Sequence, residues 1–208
     1  MFPIDIWLAY TVASVAIVLA PGPDIVLSIA RGLSQGRVAA TLSGLGAATG
    51  ILFHSAAAAY GLALIMQSSA IVFLAIKLAG TAYLIWLGMK AIFYRNLVTL
   101  APTGRRPLHA IYLAGLASNV LNPKIGLFVL AFIPQFVSAG RGPVETQIMT
   151  YGAWLAVIAA VGLSLIGSFA SGLSNWLRSR PRVVAGINIG AGVAFVATGL
   201  SAATIKHN

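Results

Sequence analysis

Six long apolar runs dominate this sequence, and each is long enough to cross a lipid bilayer. A transmembrane helix needs roughly 20 predominantly apolar residues. Of the 208 residues, 59% are hydrophobic and 8% are charged, whereas soluble domains average about 45–50% and about 25%. A water-soluble globule needs more polar surface than this chain can supply. The sequence therefore predicts an all-α integral membrane protein in a lipid bilayer, with six transmembrane helices at about 5–30, 38–66, 70–94, 109–138, 146–173 and 183–205.

The basic residues predict how these helices are oriented. Lys and Arg are enriched in the cytoplasmic loops of membrane proteins. Arg141 and Lys206 fall on one side of the predicted bundle, and nine basic residues fall on the other. We expect the side with nine to face the cytoplasm, which places both termini outside the inner (plasma) membrane; one re-entrant segment would change this parity. The nine are Arg31, Arg37, Lys90, Arg95, Arg105, Arg106, Arg178, Arg180 and Arg182.

Charge and composition also exclude several classes of partner. The net charge is +10, but nucleic-acid binding needs basic residues clustered on one face, and here most lie in short gaps between apolar runs. We therefore expect no nucleic-acid partner. The absence of cysteine excludes disulfides and thiolate metal sites. Because Asp5, Asp24 and Glu145 are the only acidic residues, a metal cage of several carboxylates is not expected, and no cofactor is predicted.

A linker divides the chain into two halves. Residues 95–107 contain two prolines, a glycine and two adjacent arginines, a composition typical of loops. Three predicted helices precede this segment and three follow it, so the second half must enter the membrane with the opposite orientation. The sequence thus predicts two inverted three-helix repeats, 1–94 and 109–208, joined by a cytoplasmic linker at 95–108. Inverted repeats are a common transporter architecture.

The first helix of each half contains a proline break. The two breaks are Pro21-Gly22-Pro23-Asp24 and Asn122-Pro123-Lys124. Proline removes a backbone donor and clashes with the carbonyl four residues back. Backbone groups freed at membrane depth are tolerated only where they are buried in protein or line a wet cavity. Breaks at corresponding positions of two halves therefore indicate a transporter binding site. Alternatively, the first break ends its span near the cytoplasmic interface, and Asp24 caps a short helix.

Both breaks carry a charged residue. Asp24 and Lys124 are among the few ionisable residues inside the apolar runs, and such residues usually face the interior of a bundle. If the breaks meet, Asp24 can pair with Lys124 or with the amino group of a substrate. Lys124 can bind a carboxylate, which helix N-termini also favour. We therefore predict a binding site for a zwitterion and for protons, in which Asp24 exchanges a proton for the substrate amine.

Other polar residues lie within the runs. His54 can relay protons as a neutral imidazole, or it can form a structural hydrogen bond to a neighbouring helix. Asn119 and Gln135 can bind substrate or hold helices together. Lys77 is expected to snorkel to the interface. Two Gly-x-x-x-Gly pairs permit close packing within one chain or between copies of it, which leaves a homo-oligomer open.

A set of short motifs extends along nearly the whole chain. It comprises Ala20-Pro21-Gly22-Pro23-Asp24; Gly44-Leu45-Gly46 with Gly50 and His54; Lys77-Leu78-Ala79-Gly80-Thr81-Ala82-Tyr83-Leu84 with Trp86-Leu87-Gly88; and Gly115, Asn119, Asn122-Pro123-Lys124 and Pro134-Gln135-Phe136. In order and spacing this set resembles the LysE/RhtB family of amino-acid exporters. The resemblance implies export of amino acids or their derivatives from the cytoplasm, driven by the proton gradient. Many relatives have Asn where this chain has Asp24.

Three classes of function fit a six-helix membrane protein with these residues. A secondary exporter is favoured, because the chain has no phosphate-binding loop for direct ATP drive. An ion or metal carrier of similar topology is disfavoured, because divalent cations prefer several oxygen ligands. An intramembrane aspartyl enzyme would need two cooperating carboxylates, and Asp24 stands alone inside the runs, with Asp5 and Glu145 near the ends. We therefore expect a transporter and not an enzyme.

Overall fold

The computed structural model describes residues 3–20, 22–68 and 104–170, and scattered positions between 78 and 93 and between 176 and 200. The third and sixth predicted spans, 70–94 and 183–205, therefore fall largely outside the described residues. Pro21 and Lys77 also fall outside them. The described residues thus include most of the first two predicted spans of each predicted half.

Every described element is helical, as predicted. No strand occurs in the ranges that the structure covers. The helices are α1 (Ile4–Leu19), α2 (Pro23–Gln35), α3 (Arg37–Ser68), α4 (Leu108–Val120), α5 (Pro123–Phe132) and α6 (Val144–Ser168), with 3₁₀ turns at Ile133–Phe136 and Ala139–Arg141.

Two of these helices can cross a membrane unaided, by length and composition. They are α3, through residues 37–61, and α6, through residues 144–168. The pairs α1–α2 and α4–α5 pass the same test when each pair is taken as one span, and they bend by 59° and 53°. The described residues therefore account for two to four of the six predicted spans. Each bend falls at a predicted proline break.

Prolines and glycines determine where the helices begin. Pro23 and Pro123 occupy the first turns of α2 and α5, where proline fits because a helix needs no N–H donor there. Gly36, between α2 and α3, has a φ of 80°, and Gly142, just before α6, has a φ of 102°. Glycine adopts this left-handed backbone without steric cost. Gly36 thus ends α2 immediately before α3, and Gly142 ends the 3₁₀ turn before α6.

The two bent pairs run antiparallel to each other. Gln35, at the end of α2, exchanges two hydrogen bonds (2.7 and 2.8 Å) with the backbone of Arg106, just before α4. The beginning of α2 contacts the end of α4. Tyr10 of α1 stacks on Phe132 at the end of α5, with ring centroids 6.4 Å apart. Hence α2 lies beside α4, and α1 beside α5, in opposite directions.

Glycines allow α3 and α4 to pack at backbone distance. Gly46 of α3 faces the backbone carbonyl of Tyr112, and Gly50 faces the side chain of Asn119. A Cβ added at either position would collide with α4. Small residues at helix interfaces are typical of membrane proteins, because they allow close van der Waals packing. The Gly46-x-x-x-Gly50 pair thus packs helices within this chain, and it fixes the position of Asn119.

We predict that Gly46→Ala destabilises the protein and that Gly61→Ala, on the same helix, does not. A methyl group at position 46 must displace the backbone of α4, and overpacking costs about 1–3 kcal/mol. No described residue lies within 4 Å of a Cβ built at Gly61, so alanine there should improve helix propensity by up to about 1 kcal/mol. Thermal unfolding in detergent should show a melting temperature lower by about 2–4 °C per kcal/mol for Gly46→Ala. Equal melting temperatures would contradict the close α3–α4 contact.

Candidate functional site

The two proline breaks meet, and Asp24 is the centre of their contact. Asp24 lies in the first turn of α2 and is 7% exposed. Its Oδ2 accepts hydrogen bonds from the side-chain amides of Asn119 (2.8 Å) and Asn122 (3.1 Å), and its Oδ1 accepts one from the Ser118 hydroxyl (3.0 Å). All three donors belong to α4 or to the break that follows it. Because hydrogen bonds to a charged group are stronger than neutral ones, this carboxylate ties the first break to the second.

Asn122 serves both breaks at once. Its Nδ2 donates to Asp24, and its Oδ1 accepts a hydrogen bond from the backbone N–H of Lys124 (3.1 Å). The second bond caps the N-terminus of α5, a position that Asn fills well. Asn122 is 3% exposed, so both bonds form away from water. The side chain of Asn122 thus caps α5 and also binds the carboxylate of Asp24 in α2.

The ammonium group of Lys124 is buried against the end of α1. Its Nζ donates to the backbone carbonyls of Ile17 (3.1 Å) and Ala20 (3.0 Å), and the residue is 4% exposed. Gly22 leaves space for this group, since a Cβ there would lie 2.9 Å from Nζ. Lys124 of the second half therefore binds the backbone at the first break, and Asp24 of the first half binds the amides at the second.

His54 connects α3 to this junction. Its Nε2 lies 3.0 Å from the backbone carbonyl oxygen of Asn119, so a hydrogen bond there requires the proton on Nε2. The Oδ1 atom of Asn119 is buried and has no partner among the described residues. A cavity of about 230 Å³ adjoins the junction and is lined by His54, Val120, Leu121, Asn122, Pro123, Gly126, Leu127 and Leu130.

The structure brings together most of the predicted site residues. Pro21 lies outside the described residues. Gln135 is separate from the junction. Its side-chain amide donates a hydrogen bond to the backbone carbonyl of Ala131, four residues earlier (2.7 Å). It lies eleven residues after Lys124, or roughly 16 Å along a helix. The residues that meet at or border the junction are Gly22, Pro23, Asp24, His54, Asn119, Asn122, Pro123 and Lys124.

The alternative in which Asp24 caps a helix is wrong. The N-cap of α2 is Gly22, and no side chain caps this helix. The carboxylate instead binds Asn119 and Asn122 across the bundle. Within the described part of the chain, Asp24 and Lys124 hydrogen-bond to different partners, and Asn122 bridges them. The two charges are neighbours in one buried polar junction.

Sequence reasoning misses three contributors to this junction. The carbonyl of Ile17 is recoverable from sequence, because residue 17 lies four positions before Pro21, which has no N–H to donate to it. The carbonyl of Ala20 carries no comparable signal. In the sequence, the only sign that Ser118 binds Asp24 is its position next to Asn119. Which side chain reaches these groups depends on how the halves pack.

Comparison with known proteins gives matches along nearly the whole chain. A family model described as LysE type translocator matches residues 15–205. An uncharacterized membrane protein of Vibrio cholerae is 31% identical over 98% of both chains. A homoserine/homoserine lactone efflux protein of Salmonella typhi is 30% identical over 97% of both chains, and a leucine efflux protein of Enterobacter sp. is 25% identical over 86% of both. No solved structure matches this chain significantly.

We predict that Asn122→Ala destabilises the protein more than Asn122→Ser. Alanine removes both the cap of α5 and the bond to Asp24, whereas serine keeps a capping oxygen and loses only the donor. Loss of an N-cap costs about 0.5–2 kcal/mol. Thermal unfolding of the two variants and the unsubstituted protein in one detergent measures the difference. A melting temperature for Asn122→Ala at or above that of Asn122→Ser would show that the cap contributes nothing.

Proposed function

Because this chain belongs to the LysE type translocator family, we propose that it is a secondary transporter that exports amino acids or close derivatives from the cytoplasm, coupled to the proton gradient. The names of its relatives support this proposal. One is named for the efflux of homoserine and homoserine lactone, and another for the efflux of leucine. These substrates share an amino group on a small carbon skeleton.

The observation that carries the proposal is the buried junction between the two broken helices. It contains one carboxylate, Asp24, and one ammonium group, Lys124, each held by residues of the opposite half. Broken helices at corresponding positions are where secondary transporters bind substrate. Ionisable groups at membrane depth are costly and mark functional sites. The ammonium group of a zwitterion can bind Asp24 in place of its amide donors, and the carboxylate of the zwitterion can bind Lys124.

The antiparallel course of the bent pairs supports an inverted repeat of residues 1–94 and 109–208, joined by the linker 95–108. α2 runs beside α4 in the opposite direction, as does α1 beside α5. In such an architecture, one half rocks against the other around a central site. The breaks are then the points where the two halves contact substrate.

We assign the roles at this site as follows. Asp24 alternates between a proton and the substrate amine. Lys124 has three N–H donors, of which two bind carbonyls of α1, and its third binds the substrate carboxylate. His54 and Pro123 line the cavity beside the junction, where His54 relays the proton.

The charged end of the bundle supports an orientation in an inner membrane. Arg31 of α2 donates to the carbonyl of Gly104 (2.9 Å), in the segment that leads to Arg105 and Arg106. These arginines therefore lie at one end of the bundle. Because basic residues mark cytoplasmic loops, we assign this end to the cytoplasm and both termini to the outside.

Efflux from proteoliposomes tests the proposed function. Vesicles that contain the protein and a mixture of labelled amino acids are diluted into buffer with or without an imposed pH gradient. We predict selective and gradient-dependent loss of a few amino acids, and no loss from vesicles without protein. Retention of every amino acid by folded, inserted protein would reject amino acids as the substrates.

We predict that Asp24→Asn abolishes the dependence of efflux on the pH gradient. Asparagine preserves the shape of the side chain but cannot exchange a proton. The matched control is Asp5→Asn, which removes the same charge from the exposed first turn of α1 and should keep gradient-driven efflux. The pH profile of the initial efflux rate measures both variants. Unchanged pH dependence in Asp24→Asn would exclude a coupling role for this residue.

A further inference from the structure

The end of α1 presents two backbone carbonyls that have lost their usual partners. In a helix, the carbonyl of Ile17 would accept a hydrogen bond from the N–H of residue 21, and residue 21 is a proline with no N–H. Ala20 leaves the helical conformation, with φ −64° and ψ 131°. Carbonyl groups at a helix C-terminus carry partial negative charge. This end of α1 therefore attracts a cation.

We propose that the C-terminal end of α1 is a binding site for a small monovalent cation, and that the ammonium group of Lys124 is its built-in occupant. The Nζ atom lies 3.1 Å from the Ile17 oxygen and 3.0 Å from the Ala20 oxygen. In secondary transporters, the C-terminal ends of broken helices and unwound carbonyls coordinate the coupling cation. Here a side chain from the other half of the protein takes that place.

The surroundings of Nζ are shaped to hold this group and to exclude water. Ile17, Ala20 and Lys124 are 1%, 0% and 4% exposed. Gly22 completes the space, because a Cβ at that position would lie 2.9 Å from Nζ and 3.3 Å from Cε. A methyl group there would force the end of the Lys124 side chain to shift. In this structure the site is therefore filled by a group of the chain itself.

Two consequences follow for the whole protein. First, the unsubstituted protein needs no sodium ion at this position, and replacing Na⁺ by choline should change neither its stability nor any efflux it performs. Second, removal of the lysine side chain beyond Cβ empties the site. The missing part has the size and charge of propylammonium, so this ion should bind in its place.

The test is chemical rescue of Lys124→Ala, measured as the melting temperature of the full-length protein in detergent. Loss of the ammonium group leaves the buried carbonyls of Ile17 and Ala20 without their donor, so we expect a decrease of about 6 °C or more. Propylammonium chloride at ten times its dissociation constant should restore about 3–6 °C. Neutral 1-propanol at the same concentration should restore nothing. Arg105→Ala, which removes an exposed positive charge, is the matched control and should not respond to propylammonium.

The melting temperature does not depend on transport. A failure of this inference can therefore be told apart from a failure of the proposed function. Rescue by propylammonium alone supports a cation site. Equal rescue by 1-propanol shows an apolar cavity and overturns it, as does a folded Lys124→Ala that responds to neither propylammonium nor Na⁺. If Lys124→Ala does not fold, the unsubstituted protein still tests the inference, because a melting temperature that falls when choline replaces Na⁺ would overturn it.

Discussion

The backbone groups that proline frees at membrane depth must find partners inside the protein, and the rest of the junction depends on this requirement. No water is present in a bilayer core to satisfy a carbonyl or N–H group. The structure meets the requirement across the two halves: Lys124 binds the carbonyls at the end of α1, and Asn122 caps α5 while it binds Asp24. The breaks are therefore stable only when they are in contact.

The third helix holds this contact in place. Glycines at positions 46 and 50 bring α3 against α4 at backbone distance, which orients Asn119 toward Asp24. His54, one turn beyond Gly50, bonds to the carbonyl of Asn119. The residues that bind the carboxylate are thus positioned by packing on α3. The glycines of α3 allow α3 and α4 to approach closely, and this approach brings His54 within hydrogen-bond distance of the Asn119 carbonyl.

Much of this arrangement is predictable from sequence, for physical reasons that apply residue by residue. Proline cannot continue a helix but fits its first turn, so the breaks and the beginnings of α2 and α5 follow from Pro23 and Pro123. Buried charges must have partners, so Asp24 and Lys124 are identifiable as site residues. Their actual partners are not predictable, because they depend on the rotation of each helix against its neighbours. Gln135 shows the same limit: its residue type suits a binding site, but it lies in the 3₁₀ turn after α5, away from the junction.

The cross-bonded junction also constrains how the halves can move under the proposed mechanism. Rocking one half against the other separates Asp24 from its three donors and Lys124 from its two carbonyls. Each hydrogen bond to a charged group contributes about 1.5–3 kcal/mol, so an empty carrier would lose several of them at once. A bound zwitterion offers an ammonium group to Asp24 and a carboxylate to Lys124, and it can replace these bonds as they break. The same contacts that stabilise the breaks would then allow movement only when substrate, or a proton on Asp24, takes their place.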